Sequence, residues 1–276
     1  MLNRDYHPPV APLFVPGDRP ERFAKAAASG ADAVILDLED AVAPPAHEAA
    51  RQAVANHGIE SVPVIVRINA VTSEACLADL AALRHARFDA LMLAKAETAA
   101  DIRLVHELLG RQVPVVALVE TARAFNELAG LLQAPGVVQA AFGSLDLALD
   151  LNCQPSWEAL TYCRGALVLQ SRLAGLPAPL DGVTTHFENP DLVRLDALRA
   201  SDLGFGGKLA IHPRQIAPIY EAFLPDEEAV NWARAVLAAA QSGAAIQVNG
   251  AMVDRPLIER ARRILSHSRN TGESKA

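Results

Sequence analysis

Eight short runs rich in apolar and β-branched residues punctuate this chain, and each stops at a polar, charged or turn-forming residue. The runs are Ala11 to Val15, Ala33 to Leu38, Pro63 to Ile68, Ala90 to Ala94, Pro114 to Val119, Val137 to Phe142, Pro179 to Thr184 and Lys208 to His212. They end at or beside Pro16-Gly17, Glu39-Asp40, Arg67-Ile68-Asn69, Lys95, Glu120, Asp146, Asp181 and His212-Pro213. Stretches with helical periodicity lie between them, such as Arg19 to Ser29, Ala46 to Asn56, Cys76 to His85, Asp101 to Leu109 and Asp191 to Asp202. Eight strand-then-helix units are what a closed (β/α)8 TIM barrel requires. Nearly continuous apolar strands fit a parallel sheet covered on both faces better than a half-exposed antiparallel one. In such a barrel the chemistry sits at the carboxyl ends of the strands, so the residues that stop the runs are the site candidates.

Length agrees with one such domain plus an extension, since barrels run to about 250 residues and the chain has 276. The barrel is placed at residues 1–224 and a C-terminal arm at 225–276. The arm reads as a helix from Asp226 to Gln241, a strand-like piece from Ala245 to Val253 and a helix from Pro256 to His267, with a frayed tail from Ser268. A net charge of −7 without a basic run points away from nucleic acid and toward a small-molecule partner. Cys76, Cys153 and Cys163 form neither a disulfide framework nor a zinc-ligand spacing, which fits a reducing cytoplasm. The N-terminus lacks a secretory apolar segment, and no uncharged run reaches about 18 apolar residues, so no membrane location is expected.

Glu120 and Asp146 follow adjacent strands and would aim two carboxylates into one cavity. A divalent cation relieves their repulsion, and a hard ion held by few carboxylates, with water or substrate oxygens completing its shell, describes Mg²⁺. Arg67, with Asn69 after it, suits recognition of an acidic substrate, or else a buried salt bridge to Glu39 or Asp40. Glu39 and Asp40 are read as acids that orient water at the cation. Lys95, with Glu97 close by, is favoured as an ion pair over a Schiff-base amine. Gly204-Phe-Gly-Gly207 precedes a strand and is no dinucleotide fingerprint, and His106-Glu107 lacks the second histidine of a zincin. His212, before a proline, reads as a packed strand terminator.

Several motifs carry a resemblance: Leu13-Phe-Val-Pro-Gly17, Arg19-Pro-Glu-Arg22, Asp32-Ala-Val-Ile-Leu-Asp-Leu-Glu-Asp-Ala-Val42, Val66-Arg-Ile-Asn69, Glu120-Thr-Ala122, Phe142-Gly-Ser-Leu-Asp146, Gly204-Phe-Gly-Gly-Lys208 with Ile211-His-Pro213, and Gly250-Ala-Met-Val-Asp254. Together they resemble the citrate lyase β-subunit-like family of the HpcH/HpaI aldolase/citrate lyase superfamily. The resemblance implies a Mg²⁺-dependent carbon–carbon lyase that cleaves a 3-hydroxyacyl-CoA thioester, citramalyl-CoA-like, to acetyl-CoA and a keto acid, or runs the reverse condensation. It implies that Glu120 and Asp146 hold the metal, with Glu120 also beside the substrate, and that Arg67 and Asn69 bind substrate. It further implies that Arg67, Glu39, Asp40 and Asp254 serve catalysis, Asp254 reaching a neighbouring subunit of a homo-oligomer, commonly a trimer.

Two basic positions of the family are not matched. Val10-Ala11-Pro12 stands where Arg-Ser often precedes the first strand, and Pro45-Ala46-His47 stands where a lysine often follows the second. Arg19, Arg22 and Lys25 remain for the CoA phosphates. The alternatives are a citryl-acyl-carrier-protein lyase subunit of a larger complex, a pyruvate aldolase that needs no thioester, and a non-catalytic subunit.

Overall fold

The structure, a computed structural model, describes residues 6–241, 247–248, 251–252 and 255–272. Eight parallel strands follow one another in chain order: β1 (Leu13–Pro16), β2 (Val34–Asp37), β3 (Val64–Ile68), β4 (Ala90–Leu93), β5 (Val115–Val119), β6 (Val137–Phe142), β7 (Leu180–Asp181) and β8 (Gly207–Lys208). All eight expected runs are therefore strands, and helices connect them. The last two are cut to two residues each.

The seam between β8 and β1 is thinner than the closed barrel expected. It consists of one parallel bridge, Leu13 with Ala210, plus backbone bonds from Lys208 N to Val10 O, Ala210 N to Pro12 O and Phe14 N to Ala210 O. The architecture is a TIM-barrel-like α/β fold of eight parallel strands in a curled sheet. Glycine 207 explains the reach across the seam, because a Cβ there would overlap the Val10 backbone.

Strand alternation decides what faces inward. Ile35, Ile65, Ala90, Met92, Val116, Leu118, Leu180 and Leu209 share one buried cluster, so these positions define the interior of the sheet. Two residues beyond Ile35, Ile65 and Leu118 on the same faces come Asp37, Arg67 and Glu120. The intervening Leu36, Val66 and Val119 are fully buried as well, as expected of strands with helices outside them.

Helix starts use short polar caps. Ser73, Thr121 and Ser156 each accept a bond from the first turn, and Thr98 with Asp101 forms a full capping box before Ala99–Leu109. Helix Trp157–Leu173, the longest of this unit, had not been singled out from the sequence. Its mixed surface, with Arg164 buried among apolar neighbours, blurs the helical period.

The chain divides into two compact units, residues 1–219 and 220–276, with the division inside helix Ile216–Phe223. The second unit is built on helices Glu227–Gln241 and Arg255–Gly272, which share a core of Ala233, Val236 and Ala261. Between them lie β9 (Gln247–Val248) and β10 (Ala251–Met252), an antiparallel pair where a single strand-like piece was expected. The last helix continues to Gly272, past the expected fraying point at Ser268. No helix among the described residues is long and apolar enough to cross a membrane.

Candidate active site

The inward positions at the carboxyl ends of β2 to β6 assemble one charged cluster. Asp37 pairs with Arg67 in the strand register, and its carboxylate accepts Arg67 Nε and Nη2, both at 2.6 Å. The same carboxylate caps the turn after β2 by accepting Glu39 N at 3.0 Å and Ala41 N at 3.1 Å. Arg67 Nη1 lies 2.9 Å from Glu39 Oε2 and 3.6 Å from Asp40, and the guanidinium carbon stands 4.8 Å over the Phe14 ring. The salt-bridge reading of Arg67 is met here, with Asp37 rather than Glu39 or Asp40 as the chief partner. It is a buried ion pair, chiefly to Asp37, yet only Nε and one N–H of Nη2 are spent on hydrogen bonds to that carboxylate. Three of its five donors remain to meet Glu39 or a ligand oxygen.

Lys95 follows β4 in a left-handed conformation, φ 48°. Its backbone N–H donates to Glu120 Oε1 at 2.8 Å. Its ammonium lies 2.8 Å from Glu39 Oε1 and 3.1 Å from Asp146 Oδ1. Burial lowers the lysine pKa, but the bond to Glu39 and the charges of Glu39 and Glu120 outweigh it and hold the amine protonated. The ion-pair reading of Lys95 therefore describes its geometry.

Glu120 is 2% exposed at the end of β5. Burial, then the charges of Asp146 and Glu39, pushes its pKa up to about 8, against smaller opposing effects from Lys95. Burial likewise raises Glu39, opposed by Arg67 and Lys95. Asp146 lies in the first turn of helix Ser144–Asp150 and faces Lys95 rather than capping that helix, whose N-cap is Gly143. Gly143 fits against Glu120, since a Cβ at this position would overlap the glutamate's Cβ and Oε2.

Burial is the leading cause of both raised acid pKa values, and the neighbouring carboxylates add to it. Among the described residues, Asp37, Glu39, Asp40 and Asp146 meet Arg67 and Lys95 at close range, and Glu120 accepts the Lys95 backbone N–H. A divalent cation at Glu120 and Asp146 fits this donor set. Among the described residues no three His, Cys, Asp or Glu side chains converge as a ready-made metal cage. Two carboxylates would leave the rest of the shell to water and substrate oxygens, the arrangement Mg²⁺ favours.

Other candidates take different places. Asn69 donates its amide to Leu38 O at 2.9 Å and Asp79 Oδ2 at 2.7 Å. Both amide N–H bonds tie β2 and β3 to helix Glu74–Leu83, a structural role beside the substrate contact expected of it. Asp40 is exposed, and Arg19, Arg22 and Lys25 are exposed on the segment after β1. Asp254 lies outside the described residues.

Asp181, a strand-end acid by sequence, is fully buried between Arg164 Nε at 2.8 Å and Lys208 Nζ at 2.7 Å. Their charges hold its pKa below the usual carboxylate range despite burial. His212 stacks on Phe187 at 4.5 Å and caps the turn Pro213–Gln215, a terminator as read. Sequence reasoning missed Asp37 as the chief partner of Arg67, Gly143 as the seat of Glu120, and the reach of Lys95 to Asp146. The strand register would have revealed the first.

Residues 11–213 match the model of the HpcH/HpaI aldolase/citrate lyase family. The chain belongs to that family. A "citrate lyase subunit beta-like protein" of Deinococcus radiodurans is 37% identical over 275 residues, covering 92% of this chain and 95% of the relative. A "(3S)-malyl-CoA thioesterase" of Cereibacter sphaeroides is 32% identical over 260 residues, covering 92% and 90%. Among solved structures, CitE of Mycobacterium tuberculosis in complex with magnesium, acetoacetate and coenzyme A superposes with a TM-score of 0.85 at 36% identity, covering 94% of this chain and 97% of that one. The resemblance drawn from the motifs is thereby confirmed, and the enzyme class expected, a carbon–carbon lyase, is that of the citrate lyase β subunits in this family.

Proposed function

We propose that this chain is a Mg²⁺-dependent carbon–carbon lyase acting on a 3-hydroxyacyl-CoA thioester of citramalyl-CoA type, releasing acetyl-CoA and a keto acid, or running the reverse condensation. The observation that carries the reading is that Lys95 gathers the two acids, its backbone N–H on Glu120 and its ammonium on Asp146, while Glu39 joins Lys95 to an anchored Arg67. The CitE relative's complex with magnesium, acetoacetate and coenzyme A supports the cofactor and the carrier. Glu120 and Asp146 would hold the ion, which when bound supplies Lewis acidity to the substrate's hydroxyl and carboxylate oxygens.

The remaining steps fall to side chains. Arg67, fixed by Asp37, offers its spare N–H groups to the carboxylate of the keto-acid half and neutralises charge as the carbonyl forms. The hydroxyl would pass its proton to water at the open mouth, the bond between C2 and C3 breaks as the C3 carbonyl forms, and its electron pair passes to the thioester enolate. Asp254 of a neighbouring subunit returns a proton to C2, giving acetyl-CoA. Glu39 positions both Arg67 and Lys95, and Asp40 sits at the solvent edge of Arg67. Arg19, Arg22 and Lys25 are the basic groups offered to CoA phosphates, and the working form is a cytoplasmic homo-oligomer, a trimer.

The malyl-CoA thioesterase relatives favour a second reading, in which the same chelated thioester is hydrolysed to a hydroxy acid and free CoA. Mass spectrometry of products from citramalyl-, malyl-, citryl- and hydroxymethylglutaryl-CoA, with Mg²⁺ and with EDTA, separates the two. Metal-dependent acetyl-CoA plus one keto acid supports the lyase. Free CoA plus the intact hydroxy acid supports the thioesterase, and survival of every ester refutes both. Glu120→Gln and Asp146→Asn are each expected to abolish turnover with the fold intact, and activity of either in EDTA would refute the metal assignment.

A further inference from the structure

Lys95 is one of only two non-glycine residues with positive φ among those described. That conformation costs about 1 to 3 kcal/mol and persists only where the surroundings hold it. Here one residue touches three carboxylates at once: Glu120 through its backbone N–H, and Glu39 and Asp146 through its ammonium. Its two ammonium contacts differ. Glu39 is close, 2.8 Å, and 9% exposed, whereas Asp146 is farther, 3.1 Å, and 30% exposed. The lysine side chain is itself 35% exposed, so its head has room to move.

We propose that Lys95 is a built-in counter-cation of this site: its ammonium neutralises Asp146 and Glu39 in the metal-free protein, and gives up Asp146 while keeping Glu39 when a divalent cation binds. The inference rests on the reading of Glu120 and Asp146 as magnesium ligands. Two cations compete for one carboxylate, and the longer, wetter contact is the one Lys95 surrenders at least cost. Glu39 cannot be abandoned so readily, because a buried carboxylate left with less positive charge is heavily penalised. The affinity for Mg²⁺ is then set by an exchange of cations rather than by attraction to bare carboxylates. The ion is therefore held only moderately until substrate oxygens join its shell.

Isothermal titration calorimetry of the full chain with MgCl₂, alongside thermal melts in EDTA and in Mg²⁺, tests this on wild type, Lys95→Met, Lys95→Gln and Lys95→Arg. The uncharged variants are expected to bind Mg²⁺ about tenfold tighter than wild type, since a like charge beside the ion has been removed. They melt lower than wild type in EDTA and recover in Mg²⁺, while the arginine variant keeps wild-type affinity. Unchanged or weaker binding in the uncharged variants overturns the proposal and leaves Lys95 a strut. Failure of both uncharged variants to fold even in Mg²⁺ overturns it too. A wild type with neither binding heat nor a melt shift in Mg²⁺ instead overturns the metal-ligand reading beneath it.

Discussion

Replacing Gly143 by alanine adds one methyl group, yet it is expected to disable the site. Gly143 has φ −94° and ψ 85°, so no left-handed backbone strain enters the comparison. The added Cβ would overlap the Cβ and Oε2 of Glu120 and stand 3.0 Å from its Cδ. Non-bonded carbons rest about 3.5 to 4.0 Å apart, so the glutamate side chain must retreat by roughly 1 Å. Glu120 is 2% exposed and pinned through Oε1 by Lys95 N, so the retreat breaks that bond or pushes β5 outward. Overpacking of this kind costs about 1 to 3 kcal/mol of stability. A displacement near 1 Å at a catalytic group costs on the order of 10²-fold in rate. Gly143→Ala should therefore fold with a lowered urea midpoint, bind Mg²⁺ weakly by calorimetry, and lose about 10²-fold in kcat/KM on whichever thioester the wild type cleaves. A variant that retains Mg²⁺ affinity and activity within about twofold would refute the reasoning, because Glu120 would then not need the seat that Gly143 provides.

Other consequences follow from the same contacts. Glu120 has a pKa of about 8 in the metal-free protein, so Mg²⁺ must displace a proton below that pH, and affinity measured by calorimetry should weaken up to about tenfold per pH unit below about 8. The folded pKa lies above the usual 4.5, so the folded state binds more protons between those values. Glu120's contribution to metal-free stability therefore falls as pH rises from about 4.5 to about 8, which urea melts in EDTA with Glu120→Gln as control would read as a difference in slope. Asp37→Ala removes the acceptor of four hydrogen bonds and leaves Arg67 half paired, a loss of about 3 to 5 kcal/mol by chemical denaturation. Lys208→Met frees Gly182 O and leaves Asp181 to Arg164 alone, with a comparable cost of about 3 kcal/mol or more; no change in the melt would show that the buried triad does not brace the fold.

Strand periodicity made most of the barrel legible, because each strand buried on both faces leaves an apolar run that the polar strand ends cut off sharply. Val137–Phe142 was delimited to the residue. The seventh and eighth runs were read longer than the regular strands Leu180–Asp181 and Gly207–Lys208, although Leu209 still bonds Asp181 O and Ala210 bridges Leu13 of the first strand. Charged strand ends were legible as a group, but their division of labour was not. Asp181 and Glu120 both end apolar strands, and nothing local tells them apart. Two distant residues do: Arg164, on a helix, and Lys208, on β8, consume Asp181, whereas Glu120 receives only a backbone N–H. The structural bond of Asn69 was hidden for the same reason, its partner Asp79 lying on a helix whose packing is not written in the strand.

The arrangement of charge explains why this site must be built on five successive strands. Arg67 sits opposite Asp37 in register and is locked by it, which fixes the guanidinium but also spends its charge. A site relying on Arg67 alone would therefore have little attraction left for an anionic substrate. Lys95 restores part of it, and is shared between Glu39 and Asp146. Among the described residues the acids still outnumber the cations, and burial, followed by the charges of Asp146 and Glu39, raises the Glu120 pKa to about 8. On the proposed reading, a divalent ion at Glu120 and Asp146 would add two positive charges at these strand ends, and an acidic mouth would become one that can hold an anionic substrate. The acids that look self-defeating in the sequence would then be what couples anion binding to the metal.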